Sequence, residues 1–371
     1  WIPASLEIPA DQTALRILVT GEGGSGKTHV ALRVAQHLAV AGPIRRLPVL
    51  IGREIDTLGD DIGKPPPLIA LLRAKLDDAF GTSFASTEFI QLLLAKGRLL
   101  VVFDGVSEYS ASVRQALQPN APDFPVAAFA MTTRDRAFDA FDPHIHLSPN
   151  RISGSALPSF LDNYLRLSAL RDCVSDHDLL QASLRLSGLG QRRSVTPLLA
   201  RLFAEQLAAG TLTDAERLSS AELMLSYVKD LNAVSSDLNT RDMFHASSTL
   251  AYHAVFPTLQ PTTVPWDVAV EAVGGIETLE ILRDRLNLIA TVGLTEDRLA
   301  FSLDPVAEYL AALYLVDKVG QSASNWSDVF HQMAASGIAA EAARGFLSAV
   351  NDVYAYRFDD PSPAHLDIEV T

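Results

Sequence analysis

The sequence predicts a parallel α/β domain in its first 150 residues, followed by a mostly helical region. Up to residue 150, β-prone runs alternate with helix-type segments, a pattern that implies right-handed crossovers and a parallel sheet. One of these runs, Leu99–Phe103, is apolar throughout, as expected for a strand buried on both faces. Beyond residue 150, apolar residues recur at helical spacing.

Five strands with helices between them are predicted in the first part of the chain. The strands are Leu15–Thr20, Leu47–Ile51, Leu99–Phe103, residues 126–131 and, as a short fifth strand, Ile145–Leu147. The helices are residues 28–39, residues 68–80 and Thr87–Ala95. In the second part, three apolar stripes predict helices that bury one face. These stripes are Leu157, Phe160, Leu161, Tyr164 and Leu165; Leu198, Leu199, Leu202, Phe203 and Leu207; and Val306, Tyr309, Leu310, Leu313 and Tyr314.

Residues 21–28 form a complete phosphate-loop pattern, G-x-x-x-x-G-K-[ST]. They are Gly21, Glu22, Gly23, Gly24, Ser25, Gly26, Lys27 and Thr28. In such a loop, backbone N–H groups cradle a polyphosphate, Lys27 reaches the β- and γ-phosphates, and the Thr28 hydroxyl ligates Mg²⁺. A predicted strand precedes the loop and a predicted helix follows it, so the phosphates would lie at a helix N-terminus, which favours anions. We therefore expect this loop to bind a nucleotide with Mg²⁺.

Charged residues follow two of the predicted strands. Asp104 comes directly after the strand Leu99–Phe103, at the sheet edge where ligands bind in such folds, and is predicted to hold Mg²⁺. Glu108, four residues later, is predicted to orient and deprotonate an attacking water. Arg134 follows the strand at 126–131 and is predicted to stabilise negative charge on the γ-phosphate or to report its presence.

Composition narrows the class of protein. A length of 371 residues predicts two to three domains. The net charge of −14 argues against nonspecific binding to nucleic acid or to an anionic membrane surface. The single cysteine, Cys173, excludes an intramolecular disulfide, suits the cytoplasm and is expected to be a packing residue. The longest stretch without charged residues, 243–266, contains three prolines, so we expect no membrane span.

These motifs together resemble the NACHT group of STAND NTPases, which are signal-transduction ATPases related to NOD-like receptors. The resemblance rests on the phosphate loop, on the run Asp104-Gly105-Val106-Ser107-Glu108 and on Thr132-Thr133-Arg134. The family pattern after this strand is Asp-Gly-Leu-Asp-Glu, so Ser107 replaces an acidic residue here.

The resemblance extends into the second part of the chain. Residues 195–199, Val-Thr-Pro-Leu-Leu, resemble the Pro-Leu-Leu segment of the family's helical domain, which implies that Pro197 packs against adenine. Residues 301–312 resemble its winged-helix signature, but Leu303 stands where many members carry a histidine that contacts the bound diphosphate. Two short β-type runs within residues 287–302 suit the wing of that domain.

The resemblance implies an α/β P-loop NTPase domain with a parallel five-stranded sheet, followed by an α-helical domain and a winged-helix domain. The implied boundaries are 1–150 for the nucleotide-binding domain, 151–240 for the helical domain and 241–320 for the winged helix. Residues 321–371 are expected to form a C-terminal helical segment and a tail.

The leading functional hypothesis is an ATP/ADP-dependent switch with slow hydrolysis. The resemblance implies Mg²⁺ as cofactor, homo-oligomerisation in the active state, a role in signalling or defence, and sensor and effector segments outside this sequence. Two alternatives remain open at this stage. One is a turnover enzyme on the same sheet, such as an AAA-type motor or a small-molecule kinase. The other is a scaffold that binds nucleotide without cleaving it.

Overall fold

A computed structural model describes most of the chain. The described residues are 14–40, 44–57, 67–81, 86–109, 111–119, 124–134, 142–188, 194–211, 219–235, 238–292, 297–335, 338 and 340–359. The chain divides into two compact units. The first unit comprises residues 1–21, 26–149 and 292–298, and the second comprises residues 22–25, 150–291 and 299–371.

The first unit contains a five-stranded parallel sheet, as the sequence predicts. Its strands are β1 (Leu15–Thr20), β2 (Leu47–Ile51), β3 (Leu99–Phe103), β4 (Ala128–Thr133) and β5 (Ile145–Leu147). Their order in the sheet is β2-β3-β4-β1-β5, and every neighbouring pair is parallel. The carboxyl ends of all five strands therefore lie at one edge.

Four of the five predicted strands are confirmed with their predicted bounds, and the fourth is displaced by two residues. The sequence predicted this strand at 126–131, where the apolar run lies, but β4 ends at Thr133. The difference arises because β4 pairs with β1 along its whole length, from Leu15 opposite Ala128 to Thr20 opposite Thr133. Backbone pairing with a neighbouring strand thus extends β4 to polar residues, which a prediction from hydrophobicity alone leaves out of the strand.

Helices cover both faces of the sheet. They are α1 (Lys27–Val40), α2 (Pro67–Phe80), α3 (Thr87–Ala95) and the short α4 (Ala111–Ala116), with 3₁₀ turns at Arg53–Thr57 and Val106–Glu108. One hydrophobic core lies between α1 and residues of β1, β3, β4 and β5, and a second lies between α2, α3 and the opposite sheet face. The strand β3 is buried at every position because alternate residues enter the two cores.

The second unit is mostly helical, as the apolar stripes predict. Its helices are α5 (Leu157–Leu167), α6 (Asp176–Gly188), α7 (Pro197–Ala209), α8 (Ser220–Ser235), α9 (Thr240–Val255), α10 (Trp266–Val273), α11 (Ile276–Glu280), α12 (Asp304–Val319), α13 (Ala323–Ala335) and α14 (Ala340–Phe358), with a 3₁₀ turn at Arg171–Cys173 and a π-helical turn at Ile281–Arg285. One continuous core joins these helices, and α12 packs against both α9 and α14.

Two small sheets are formed largely by residues of the second unit. The strands β6 (Ile152–Ser153) and β7 (Ser194–Val195) pair antiparallel. The strands β8 (Val264–Pro265), β9 (Ile289–Val292) and β10 (Arg298–Phe301) form a sheet in the order β8-β10-β9. The two β-type runs within residues 287–302 are therefore confirmed as neighbouring strands, and residues 293–296 between them lie outside the described part. The winged-helix assignment and the domain boundaries remain predictions, and the predicted tail from residue 360 lies outside the described residues.

One prediction about packing is wrong. Cys173 is exposed rather than buried. It ends the 3₁₀ turn between α5 and α6, and the next residue, Val174, points into the core instead. None of the helices in the described ranges is long and apolar enough to cross a membrane.

Candidate functional site

The phosphate-loop sequence lies between β1 and α1, so the predicted strand–loop–helix context is confirmed. The Gly21 amide donates a hydrogen bond to the Thr133 carbonyl, 3.2 Å away, which ties the end of β1 to the end of β4. Gly24 and Gly26 adopt left-handed φ angles of 71° and 91°, a conformation that favours glycine. Lys27 is the first residue of α1, so the loop leads directly into a helix N-terminus. This unit on a parallel five-stranded sheet is a P-loop NTPase fold.

Four residues of the loop, 22–25, belong to the second compact unit. Within that unit, the Glu22 carboxylate accepts two hydrogen bonds from the Arg151 guanidinium, each 2.5 Å long. The Leu198 amide donates to the Gly24 carbonyl at 3.2 Å, and a Cβ added to Gly24 would lie 2.9 Å from the Leu198 Cβ. Pro197, the first residue of α7, is the neighbour of Leu198 and is therefore held close to the loop.

Ser25 and Thr196 complete this part of the loop environment. The Ser25 hydroxyl is buried and has no hydrogen-bond partner among the described residues. Thr196 is the N-cap of α7, and its side chain accepts a hydrogen bond from the Leu199 amide at 3.3 Å. The cap fixes the first turn of α7, including Pro197, in its position.

The hydroxyls of Thr28 and Thr132 both form hydrogen bonds with the Asp104 carboxylate at the start of α1. The Thr28 hydroxyl lies 2.9 Å from both carboxylate oxygens of Asp104. Thr132 donates to Asp104 Oδ1 at 2.6 Å and accepts a hydrogen bond from the Gly105 amide at 2.8 Å. The structure thus brings together the two predicted Mg²⁺ ligands, Thr28 and Asp104, and adds Thr132, which orients the carboxylate.

Glu108 lies on the 3₁₀ turn that follows β3 and forms ion pairs with Arg53 and Arg134. Its Oε2 atom accepts hydrogen bonds from Arg53 Nη2 at 2.7 Å and Arg53 Nε at 3.1 Å. Its Oε1 atom accepts a hydrogen bond from Arg134 Nε at 3.2 Å. The three side chains are 12%, 6% and 9% exposed for Arg53, Arg134 and Glu108. Both oxygens of the predicted general base are therefore in use.

Ser107, which replaces an acidic residue of the family pattern, has a defined contact. Its hydroxyl accepts a hydrogen bond from the Arg134 amide at 3.2 Å. This contact joins the turn after β3 to the end of β4 and places the Arg134 backbone next to the Glu108 turn. The serine therefore positions Arg134.

Arg53 is the functional candidate that the sequence analysis missed. It begins the 3₁₀ turn after β2, two residues beyond Ile51, and β2 is the neighbour of β3 in the sheet. A charged residue just past the end of a predicted strand was an available signal, since Asp104 and Arg134 were chosen on that ground. What the sequence could not supply was the strand order that places β2 beside β3.

Comparisons with known proteins add no closer assignment. Neither a protein-family model nor a curated protein matches the chain. Among solved structures, the Thermotoga maritima RuvB Holliday junction branch migration motor is 14% identical, with 77% of this chain and 84% of that chain covered and a TM-score of 0.32. The Aeropyrum pernix ORC2 protein in its ADP form is 14% identical, with coverages of 80% and 85% and a TM-score of 0.37. At these low TM-scores, the fold assignment rests on this molecule's own sheet and loop.

Proposed function

We propose that this chain is an ATP/ADP-dependent molecular switch that binds nucleotide at residues 21–28 and hydrolyses ATP slowly. The observation that carries the proposal is the contact of Thr28 with Asp104 at the start of α1, directly after a glycine-rich loop. These two residues are 76 positions apart, and a phosphate loop with a metal ligand on a neighbouring strand needs this approach.

The donor set fits Mg²⁺. Mg²⁺ prefers hard oxygen ligands, and it is held by one or two protein side chains together with phosphate oxygens and water. Thr28 and Asp104 supply a hydroxyl and a carboxylate oxygen on one site, and Thr132 orients the carboxylate. When bound, Mg²⁺ would neutralise charge on the phosphates.

Each remaining residue has a role in the proposed reaction. Lys27 binds the β- and γ-phosphates at the helix N-terminus. In hydrolysis, the oxygen of a water bonds to the γ-phosphorus, and the bond from that phosphorus to the β–γ bridging oxygen breaks with its electron pair leaving on ADP. Glu108 accepts the proton of the water, and Arg134 stabilises charge on the γ-phosphoryl group. Pro197 is proposed to pack against the adenine on the strength of the family resemblance.

The switch function is favoured over rapid turnover by the state of Glu108. Its two oxygens are engaged by Arg53 and Arg134, so the carboxylate does not start in a form that is free to accept a proton. The resemblance to NACHT-type proteins further suggests a cytoplasmic signalling or defence role, nucleotide-gated domain rearrangement, and assembly into homo-oligomers. A rapidly turning over ATPase or kinase on the same fold is the alternative.

The test is the nucleotide that co-purifies with the protein, released by denaturation and identified by chromatography, combined with an ATP turnover assay. We expect tightly held ADP and slow hydrolysis of added Mg-ATP. The variant Glu108→Gln should retain bound ATP and lose hydrolysis, since the amide cannot accept the proton.

Three outcomes would count against this proposal. An empty protein with rapid, repeated turnover would favour a motor or kinase. Unchanged hydrolysis in Glu108→Gln would remove that residue from the catalytic role. The absence of any ATP or ADP binding would overturn the nucleotide switch altogether.

A further inference from the structure

Residues 22–25 of the phosphate loop form one turn. The Ser25 amide donates a hydrogen bond to the Glu22 carbonyl at 3.3 Å, which closes the turn. These four residues cluster with the second unit, whereas residues 26–28 cluster with the first. The first half of the phosphate loop therefore takes its neighbours from the second unit.

The Arg151 guanidinium joins this turn to the strands β6 and β7. Its Nε and Nη2 atoms donate to Oε1 and Oε2 of Glu22, both at 2.5 Å, so each carboxylate oxygen accepts from a different nitrogen. Its Nη1 atom donates to the Ser194 carbonyl of β7 at 3.4 Å. Arg151 directly precedes β6, whose Ile152 pairs with Val195 of β7. One side chain thus connects the loop to both strands of this small sheet.

A second contact holds the same turn at Gly24. The Leu198 amide donates to the Gly24 carbonyl at 3.2 Å. Leu198 is the second residue of α7, and a single residue separates α7 from β7. The contacts therefore form a closed ring, which runs from Glu22 through Arg151 to β7, along the chain to α7, and back to the loop at Gly24. Such a ring fixes the turn at two points, one through a side chain and one through the backbone.

Arg151 also compensates the charge of Glu22. The loop is expected to hold a polyphosphate, and a carboxylate in such a loop repels phosphate oxygens unless a cation lies beside it. The side chains of Arg151 and Glu22 are 45% and 37% exposed, so solvent screens part of their attraction. A two-point contact between a guanidinium and a carboxylate retains more strength than other exposed ion pairs. Arg151 therefore both neutralises Glu22 and fixes its direction.

We propose that Arg151 is a positioning residue for phosphate binding, which acts through Glu22 to hold the first half of the phosphate loop in its binding shape. This inference rests on the proposed function, since it requires a nucleotide to bind at residues 21–28. Ordering a loop on binding costs conformational entropy and lowers affinity, whereas a loop that is already held in shape avoids this loss.

The test measures the Kd for Mg-ADP by isothermal titration calorimetry in the parent, Arg151→Gln, Glu22→Gln and the double variant. We expect Arg151→Gln to raise Kd by about 10-fold, because Glu22 loses its anchor and leaves an uncompensated charge in the loop. Glu22→Gln removes the anchor and the charge together, so Kd should rise by less than about 3-fold. The double variant should resemble Glu22→Gln, so the second substitution restores affinity that the first one removes.

Two further variants separate this role from a general effect of charge or folding. Arg357 of α14 pairs with Asp317 of α12 at 3.0 Å, with side chains 51% and 45% exposed, so Arg357→Gln removes a similarly exposed ion pair from the second unit. Its Kd should equal that of the parent. Arg151→Lys keeps the charge but loses the two-point contact, so its Kd should lie between those of the parent and Arg151→Gln. Circular dichroism confirms that each variant is folded, and Arg151→Lys carries the test if Arg151→Gln is not.

A folded Arg151→Gln protein that binds Mg-ADP as tightly as the parent overturns the proposal. A double variant as weak as Arg151→Gln also overturns it, because the loss would not then pass through Glu22. An equal loss in Arg357→Gln has the same consequence, since the effect would reflect net charge alone. Failure of the parent to bind ADP or ATP would instead defeat the proposed function, and the titration of the parent identifies that case separately.

Discussion

The two compact units pair their partly buried acidic side chains with different kinds of partner. In the first unit, Glu108 is paired with two guanidinium groups and Asp104 accepts hydrogen bonds from two threonine hydroxyls. In the second unit, Asp352 of α14 accepts a hydrogen bond from the Tyr309 phenol of α12 at 2.5 Å. Burial raises the pKa of Asp352 above its ordinary value of 3.8, and burial together with Asp352 raises the pKa of Tyr309 well above 10.0.

This difference in partners suggests different roles for the acids. We propose that Asp104 and Glu108 serve ligand binding, whereas Asp352 serves helix packing. Guanidinium partners stabilise a carboxylate in its charged form, ready to exchange one charged partner for another. A phenol partner gives Asp352 a hydrogen bond without a compensating charge, and that bond joins two packed helices. We therefore propose that phosphates and metal bind at the charged edge of the first unit, whereas the Tyr309–Asp352 pair contributes to helix packing.

The largest expected effect in this comparison is that of Lys27→Ala on ATP affinity. If the edge of the first unit binds phosphates, Lys27→Ala should weaken ATP affinity by about 10²- to 10³-fold, roughly 3–4 kcal/mol, since it removes a cation from the helix N-terminus. Isothermal titration calorimetry with Mg-ATP measures the change, and Arg33→Ala serves as the control on the same helix. Normal affinity in a folded Lys27→Ala protein would contradict the phosphate-loop assignment.

A smaller effect, on stability, is expected from Gly24→Ala. Gly24 is one of the loop residues that belong to the second unit. Gly24→Ala introduces a Cβ at a φ of 71° and places it 2.9 Å from the Leu198 Cβ. We expect it to lower the free energy of unfolding by about 2–3 kcal/mol, through backbone strain and overpacking together. Urea unfolding followed by circular dichroism measures this loss.

Gly210→Ala is the matched control for Gly24→Ala. Gly210 has a similar φ of 67°, but an added Cβ would meet nothing within 4 Å. Gly210→Ala should therefore lower the free energy of unfolding through backbone strain alone, by roughly 1 kcal/mol. Equal losses in the two variants would show that the contact between the loop and α7 adds nothing to stability.

The smallest effect is expected from the Tyr309–Asp352 pair, and it is a pH dependence of the free energy of unfolding. Because the folded pKa of Asp352 is raised, the folded protein binds this proton more tightly than the unfolded chain does. The contribution of Asp352 to the free energy of unfolding is therefore full below pH 3.8 and is lost as the pH rises through the raised folded pKa. Asp352→Asn retains an acceptor for Tyr309 and should remove this decline.

The measurement is the difference in unfolding free energy between the parent and Asp352→Asn across a pH series from about 4 to 8. The exposed Asp328 of α13, changed to Asn, is the control and should leave the pH dependence unaltered. If the parent instead gains stability relative to Asp352→Asn as the pH rises, Asp352 behaves like the ion-paired acids of the first unit and the contrast between the two units fails.

The sequence by itself determined the local elements of this protein. The phosphate loop, its flanking strand and helix, β2, β3 and β5, and three helices of the second unit (α5, α7 and α12) could be predicted because hydrophobic period and turn chemistry act over short stretches of chain. The choice of Asp104, Glu108 and Arg134 as site residues followed from one general property of parallel sheets, that ligands lie beyond the carboxyl ends of strands.

Tertiary structure decided which of these pieces meet. The extension of β4 to Thr133 came from pairing with β1, and the exposure of Cys173 came from the course of one turn. The engagement of Glu108 by Arg53 and the pairing of Tyr309 with Asp352 join residues 55 and 43 positions apart. Such contacts depend on strand order and helix packing. These are set by the free energy of the whole chain, so no local pattern in the sequence indicates which residues will meet.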